Sequence, residues 1–300
     1  MPVTRGRIWA VVLIAGFGWG TAGVVTRVAF DEGMKPFAVV AISSAISSVA
    51  LMAYATLVRH GFSVGRLGWR VGAVMSLLSV TIPFVTRNLA LENASAGFVG
   101  LASALVPLAT AVTAHFALAD EPFDRATIAG LLVALVGVAV LVFSGDAGIG
   151  EGGRPLVAGA LALMGVVSVA VGSVYAKRHA GGYSPLSVAG VQFVIAALVA
   201  TGLMLAFEGV PAGATGTAWV AMAYIGIVAT LTPVVLYYWL LRHVTVTYSA
   251  IIGYVIPLVA VVVGILVLDE KLQPGIVAGG VLILAGVLIT DRARMRSHGL

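Results

Sequence analysis

The sequence predicts an all-α integral membrane protein with ten transmembrane helices, arranged as two inverted five-helix repeats. Three observations predict this fold: the chain carries few charges, it consists almost entirely of long apolar segments, and its two halves repeat each other. Only 10% of the 300 residues are charged and 60% are hydrophobic, with a mean hydropathy of +1.10. A soluble domain carries about 25% charged residues, so this chain lacks the polar residues to cover a water-facing surface.

The apolar segments have the length of helices that cross a bilayer, about 20 residues each. Transmembrane strands would instead alternate in polarity and span in about ten residues. The predicted helices cover residues 8–30, 36–58, 69–90, 94–117 and 125–144 in the first half, and residues 155–177, 184–207, 217–240, 246–268 and 274–291 in the second. The first segment resembles a secretory signal, but it contains Arg27 and aligns with residues 155–177, which predicts a retained helix.

The two halves of the chain are copies of one unit. The segment EPFDRATIAGLLVALVGVAV, which starts at Glu121, aligns with EKLQPGIVAGGVLILAGVLI, which starts at Glu270. A repeat of nearly half the chain length indicates a duplicated domain rather than a solenoid of short units. We therefore predict a first five-helix repeat over residues 1–149 and a second over residues 150–300.

The basic residues predict the orientation of these helices. With the N-terminus in the cytoplasm, twelve of the 17 Lys and Arg residues fall in cytoplasmic segments, three in external loops and two within helices. This bias follows the positive-inside rule, so we predict that both termini are cytoplasmic in a bacterial inner membrane. Five helices per copy is an odd number, so the second copy must enter the membrane from the opposite side. A repeat in sequence then becomes an inverted repeat in space, as in many secondary transporters.

The composition and the motifs exclude several other classes of protein. The chain has no cysteine, which rules out disulfides and thiolate metal sites. Its basic residues are scattered among short loops rather than gathered on one face, so no nucleic acid partner is expected. Asp120, Glu121 and Asp124 form a DExxD cluster, but the second copy lacks the third acid, and acids before a helix stabilise its N-terminus. We therefore predict no metal, no cofactor and no enzymatic activity.

Three segments resemble a known family. WGTAGVVTRVAF from Trp19, the run from Asn88 to Pro107, and the acidic turn before a glycine-rich last helix in each copy are similar to the EamA repeat of the drug/metabolite transporter superfamily. The resemblance covers nearly the whole chain and implies a ten-helix transporter of small metabolites; the branch that exports amino acids, including aromatic ones, looks nearest. Repeats of this family often place an arginine seven residues after the proline that opens the second helix. Ser43 and Gln192 occupy those positions here, so the role of that arginine does not carry over.

Prolines inside helices mark a candidate cavity with hinges. A proline in mid-helix removes a backbone hydrogen bond and kinks the helix, which a bilayer tolerates where the helix lines a cavity or is buried in protein. Four such prolines occupy matched positions in the two copies and are the predicted hinges: Pro83, Pro107, Pro233 and Pro257. The predicted substrate-binding residues are polar and aromatic side chains in the same helices or near them: Trp19, Ser43, Ser76, Ser79, Arg87, Ser103, Gln192, Thr230, Tyr237 and Tyr254. Each serine taken singly is also explained by close helix packing. The carbonyls four residues before the prolines are expected to be free, that of Ser79 among them.

The leading hypothesis is a secondary transporter that exports amino acids or related small metabolites by alternating access. Two alternatives remain open: the same fold could carry drug-like cations or sugar derivatives, or the chain could be an intramembrane enzyme that acts on lipid-linked substrates. The enzyme would need convergent acids or a His/Ser pair at one membrane face, and the sequence offers neither. The small-molecule substrate and the lipid bilayer are the expected partners. Glycine rows such as Gly275 and Gly279 allow helices to approach closely, within a monomer or in a homodimer.

Overall fold

The computed structural model describes residues 5–59, 65–117, 125–145, 147–149, 152–180, 183–241, 243, 252–271 and 273–297. These residues form helices and connecting turns, and no strand occurs among them. The helices of the first copy are α1 (Arg5–Asp31), α2 (Pro36–Arg59), α3 (Arg66–Leu91), α4 (Ala96–Ala117) and α5 (Arg125–Phe143). Those of the second copy are α6 (Pro155–His179), α7 (Pro185–Phe207), α8 (in three segments, Gly216–Gly226, Ile227–Leu231 and Thr232–Leu241), α9 (Ile252–Leu268) and α10 (Pro274–Ser297).

The helices match the predicted spans. Within the described residues, α1 to α8 are long and apolar enough to cross a membrane, and α9 and α10 contain shorter apolar stretches, Ile252–Leu268 and Pro274–Thr290. The predicted all-α, ten-helix membrane fold is thus confirmed. The ninth predicted span, residues 246–268, begins outside the described residues, and the DExxD cluster at residues 120–124 also lies outside them.

Helices α3 and α8 each contain a five-residue π-helical segment just before a predicted hinge proline. The segments are Leu77–Thr81, before Pro83, and Ile227–Leu231, before Pro233. They occupy the same position in the two copies, with an offset of 150 residues. Each hydrogen-bonded turn of a π segment contains one residue more than a turn of α-helix. Such segments, like prolines, are a recognised cause of bends in helices. The duplication has therefore preserved the distortion as well as the proline.

The π segment changes which carbonyl the proline leaves free. In a π segment an N–H bonds to the carbonyl five residues earlier, and the N–H of Ile82 donates to the carbonyl of Leu77. In this register the missing N–H of Pro83 deprives the carbonyl of Leu78 of its donor. The sequence-based expectation named the carbonyl of Ser79, four residues before the proline, because it assumed α-helical spacing.

The prolines of α4 and α9 are accommodated in two different ways. Helix α4 consists of two segments, Ala96–Ser103 and Val106–Ala117. Pro107 lies in the first turn of the second segment, where a missing N–H costs no helical hydrogen bond. Pro257 lies inside α9, which is one uninterrupted helix over its described length. Matched positions in the sequence therefore give a break in one copy and an internal proline in the other.

Helices α5 and α10 pack closely through four glycines. A Cβ atom on Gly137 would lie 2.7 Å from the backbone nitrogen of Ile283 and 2.8 Å from the carbonyl oxygen of Gly279. A Cβ atom on Gly286 would overlap the carbonyl oxygen of Gly130. Gly130 is aligned with Gly279 in the repeat, and Gly137 with Gly286. The same pair of positions therefore meets twice, once as Gly137 with Gly279 and once as Gly130 with Gly286. Gly130, Gly137, Gly279 and Gly286 thus serve the packing of two helices within one chain.

Other contacts also recur between the two copies. Helix α2 packs against α7; α1 packs against α9 as α6 packs against α4; and α1 packs against α8 as α6 packs against α3. At the level of residues, Ser43 of α2 lies against Gly226 of α8, while the aligned Gln192 of α7 is bonded to Ser76 of α3. Aligned residues therefore make equivalent contacts in the two halves.

Gly286→Ala should lower the melting temperature of the protein in detergent. The added methyl group overlaps backbone atoms of α5, which cannot rotate away, and overpacking of this kind costs about 1–3 kcal/mol. Gly202→Ala in α7 is the matched control, because a Cβ atom there meets nothing within 4 Å and alanine favours a helix by about 1 kcal/mol over glycine. The measurement is the Tm of both variants and the parent. Equal Tm values for Gly286→Ala and the parent would contradict the close contact.

Candidate functional site

The predicted site residues fall into separate clusters, and the first is aromatic. The rings of Trp19 in α1 and Tyr237 in α8 have centroids 5.8 Å apart at an interplanar angle of 57°. Both side chains are partly exposed. They pack against the same buried cluster as Val255 and Ile256 of α9, and Tyr254, also partly exposed, precedes these two residues. Helices from both copies therefore meet at this aromatic cluster.

The aromatic cluster adjoins the proline and the π segment of α8. Pro233 is buried one turn before Tyr237. A Cβ atom on Gly18 of α1 would lie 2.7 Å from Cγ of Pro233 and 2.6 Å from the carbonyl oxygen of Val228. Thr230, within the π segment, is buried. The π segment, the proline and the tyrosine thus form one continuous stretch of α8 that packs on α1.

The close packing of α1 depends on glycines that the sequence-based prediction omits. A Cβ atom on Gly16 would lie 2.5 Å from Val255, and one on Gly20 would lie 2.6 Å from Val259. Both valines belong to α9. The signal that could have identified the pair is its spacing of four residues, because small residues at that spacing let membrane helices approach each other.

A second group of predicted residues lies in contacts between helices. The Ser76 hydroxyl donates to the carbonyl of Gln192 at 2.8 Å, and Nε2 of Gln192 donates to Sδ of Met75 at 3.7 Å. The Ser43 hydroxyl donates to the carbonyl of Val39 in its own helix at 2.6 Å. Ser43, Ser76 and Gln192 are all buried. They share in fixing α2, α3 and α7 against their neighbours, and they lie apart from the aromatic cluster.

The π segment of α3 is held by α6. Ser168 of α6 donates its hydroxyl to the carbonyl of Leu78 at 2.8 Å and so satisfies the acceptor that Pro83 leaves free. The hydroxyl of Ser79 lies against Gly172 of α6, where no Cβ atom would fit. Ser168 was not among the predicted residues, because its role depends on a carbonyl in a different helix.

Arg87, towards the end of α3, has a buried guanidinium nitrogen. Its guanidinium lies over the ring of Phe84, 4.9 Å from the centroid, and its Nε finds no hydrogen-bond acceptor among the described residues. The adjacent Asn88 is fully buried and donates to the carbonyl of Pro36, where α2 begins, at 3.2 Å. Asn88 is thus buried at the contact of α3 with α2, next to the partly buried Arg87.

Helices α4 and α9 run antiparallel and contact each other beside the remaining predicted residues. A Cβ atom on Gly97 would lie 3.4 Å from Val261, and one on Gly253 would lie 3.8 Å from Cγ of Pro107. The Ser103 hydroxyl, between these points, donates to a carbonyl of its own helix at 3.0 Å. Pro107 therefore sits at the contact between the two copies rather than on an outer face.

Glu270 joins the end of α9 to the start of α4. Its carboxylate accepts the backbone N–H groups of Ala96 at 2.6 Å and Gly97 at 3.1 Å. Burial raises the pKa of the Glu270 carboxyl, and the two N–H bonds and the charge of Arg27 offset this only in part. Arg27 itself donates to the carbonyl of Leu91 at 2.7 Å. This end of the bundle therefore holds a half-buried carboxyl between two helices.

These clusters offer surfaces for reversible binding rather than groups for bond making. The aromatic cluster supplies ring faces and tyrosine hydroxyls, and Arg87 supplies a cation. Within the part of the chain that the structure describes, no three His, Asp or Glu side chains are grouped so that they could hold a metal ion.

The fold and these clusters define the class of multi-span membrane transporters of small molecules. The chain belongs to the EamA-like transporter family, whose model matches residues 5–143 and 157–290, so the predicted family is confirmed. Protein PecM of Dickeya dadantii is 26% identical over 275 residues, which cover 91% of this chain and 88% of that protein. The uncharacterized inner membrane transporter YedA of Escherichia coli is 25% identical over 294 residues, covering 95% and 90%. A protein known from a crystal structure shares the fold over 99% of this chain and 100% of its own, with a TM-score of 0.66 at 22% identity.

Ser168→Ala should destabilise the protein. The carbonyl of Leu78 would lose its donor inside a helix contact, and a buried acceptor left without a partner costs about 1–3 kcal/mol. Ser173→Ala is the matched control, because Ser173 lies on the exposed face of α6 and its hydroxyl donates only to the Val169 carbonyl of its own helix. The measurement is the Tm in detergent. A similar shift in both variants would show that the bond to Leu78 has no special weight.

Proposed function

We propose that the protein exports amino acids or related small metabolites across the bacterial cytoplasmic membrane by alternating access. The observation that carries this proposal is the meeting of the half-buried rings of Trp19 and Tyr237 between the two copies, beside a π segment and a proline. Carriers built from inverted repeats hold their substrates between the repeats near the middle of the membrane. The family and the similarity to the inner membrane transporter YedA support transport, and the substrate class is our inference from the site.

The proposed site suits a small zwitterion with an apolar or aromatic side chain. Aromatic rings attract an ammonium group by about 0.5–2 kcal/mol and also cover apolar surface. Tyr237 and Tyr254 add hydroxyl groups for the substrate carboxylate. Arg87 is the residue aligned with Tyr237 and, in the proposed inverted arrangement, lies towards the opposite membrane face, so we do not assign it to this site. A drug-like cation could use the same ring faces, which makes it the competing substrate class.

Alternating access requires parts that move and parts that stay together. We propose that Pro83, Pro107, Pro233 and Pro257 mark the hinges, because each lies where α3, α4, α8 or α9 contacts the other copy. The α5–α10 contact would form the fixed frame, since its glycines meet at backbone distance. Ser43, Ser76 and Gln192 are buried in helix contacts and are proposed to fix those helices rather than to touch substrate.

We further propose that the second copy is inverted and that both termini are cytoplasmic. The reciprocal meeting of Gly130 with Gly286 and of Gly137 with Gly279 supports inversion, because a twofold axis in the membrane plane would bring equivalent positions of α5 and α10 together. The distribution of basic residues supports the orientation.

Single cysteines should reveal the orientation, because the chain contains none of its own. Ala212→Cys lies in the loop after α7 and Arg178→Cys lies at the end of α6; both positions are exposed. If the N-terminus is cytoplasmic, α7 ends outside and α6 ends inside. A membrane-impermeant thiol reagent added to intact cells should then label position 212 alone, and both positions after permeabilisation. The reverse pattern would contradict the orientation, and labelling of both in intact cells would contradict the topology.

Liposomes that contain the purified protein should exchange labelled amino acids across their membrane. Trp19→Ala should lower the exchange rate by about tenfold, because it removes a ring that binds the substrate. Trp219→Ala, near the start of α8, is the matched control, since that ring is half-exposed on the outer surface of the bundle and its loss should leave the rate unchanged. Absence of exchange for every amino acid would contradict the substrate class, and organic cations tested in parallel would then address the alternative.

A further inference from the structure

We propose that Glu270 is the latch that holds one end of the carrier closed, by tying the end of α9 to the start of α4. The latch consists of the Glu270 carboxylate and the backbone N–H groups of Ala96 and Gly97. Glu270 is a positioning residue, because it contacts a helix rather than substrate. The inference deepens the proposed function and rests on it, since a latch matters only in a carrier whose two ends open in turn.

The hydrogen bonds of the latch connect the two copies directly. The first four N–H groups of a helix have no partner within the helix. At the start of α4, the Glu270 carboxylate accepts those of Ala96 at 2.6 Å and Gly97 at 3.1 Å, and the hydroxyl of Ser95 accepts that of Phe98 at 3.0 Å. Bonds to an ionised acceptor are stronger than bonds between neutral groups. To separate the two helices, the protein must break both bonds to Glu270 together.

The surroundings of Glu270 are shaped to admit its carboxylate. A Cβ atom on Gly264 of α9 would lie 2.5 Å from Oε2 of Glu270, and one on Gly97 of α4 would lie 3.3 Å from the same atom. Asp269 adopts a left-handed conformation with a φ of 51°. It turns the chain so that the N–H of Glu270 bonds back to the Gly264 carbonyl at 3.3 Å. The glycines of both helices thus leave room for the side chain of Glu270, which extends from the turn after α9.

Glu208 provides a control with the same chemistry between a different pair of helices. Its carboxylate accepts the N–H groups of Phe37 and Ala38 at the start of α2, both at 2.9 Å, and it follows the end of α7. Helices α2 and α7 are equivalent helices of the two copies and pack against each other extensively. Helices α4 and α9 instead carry Pro107 and Pro257. We therefore expect Glu208 to fix the frame and Glu270 to restrain a contact that opens.

Burial and hydrogen bonding act on the Glu270 carboxyl in opposite directions. Burial raises its pKa, whereas the N–H bonds of Gly97 and Ala96 and the charge of Arg27 lower it. Opening of the latch would return water to the carboxyl and remove the two N–H bonds. The charged groups nearby are Arg27 of α1, which favours the ionised form, and the exposed Asp269 and Lys271 of the same turn.

The test uses a thiol beneath the latch. Val261 of α9 lies against Gly97, so Val261→Cys places a small and unique thiol under the start of α4. The protein is studied in nanodiscs, where both faces are accessible, with a membrane-impermeant thiol reagent. The labelling rate is divided by that of Ala212→Cys, an exposed reference that corrects for differences in reagent activity. Glu270→Gln and Glu208→Gln are each combined with Val261→Cys.

We expect Glu270→Gln to raise the relative labelling rate about tenfold, because an amide presents a donor where the carboxylate accepts an N–H. Glu208→Gln should leave the rate unchanged. If Glu270→Gln cannot be purified, Glu270→Asp, which is too short to reach both N–H groups, should give a smaller increase in the same direction.

Two results would overturn the latch. One is an unchanged labelling rate in Glu270→Gln; the other is an equal increase in Glu208→Gln, which would indicate general loosening. Exchange of amino acids in liposomes is measured on the same preparations. Faster labelling without any exchange would support the latch and contradict the proposed function. Exchange with an unchanged labelling rate would support the proposed function and contradict the latch.

Discussion

The interior of a bilayer holds no water, so each backbone donor and acceptor of a spanning helix must find its partner inside the protein. Prolines in α3 and α8 break this condition, and neighbouring helices determine how the break is accommodated. Ser168 of α6, in the second copy, donates to the Leu78 carbonyl that Pro83 leaves free in the first copy. This bond fixes α3 against α6. The equivalent carbonyl in α8, that of Val228, lies so close to Gly18 of α1 that no Cβ atom would fit. In each helix, the carbonyl five residues before the proline thus lies in a contact with a helix of the other copy.

Close approach through glycine divides the helix contacts into two kinds. Helices α5 and α10 meet at backbone distance, and contacts of this kind yield little because protein interiors are as dense as crystals. Helices α1, α4, α6, α8 and α9 also meet across the copies, but several of these contacts contain a proline, a π segment or a helix break. The proposed hinges belong to the second kind. Such a division is what a carrier that rocks one part against another requires.

One helix connects the proposed substrate site with the proposed latch. Helix α9 carries Tyr254 near its beginning, contains Pro257, and leads into Glu270. Tyr254 and Glu270 are 16 residues apart, about 24 Å along a helix at 1.5 Å per residue. A change in the tilt of α9 at the aromatic cluster would therefore move the Glu270 carboxylate. Substrate can shift the balance between closed and open ends only if it binds the two states with different affinity, and α9 contacts both sites.

The sequence by itself determined the number, the bounds and the duplication of the helices, because helix formation in lipid depends on bonds within each segment. It also located the prolines. It did not determine that a π segment would precede Pro83 and leave the Leu78 carbonyl without its donor, nor that Ser168 would satisfy that carbonyl. Likewise Ser43 and Gln192, predicted to line a cavity, are buried in helix contacts. These outcomes depend on how each helix is rotated and which helices adjoin it. Only the tertiary structure decides that, because helices that are apolar on all sides have no single face that must turn inward.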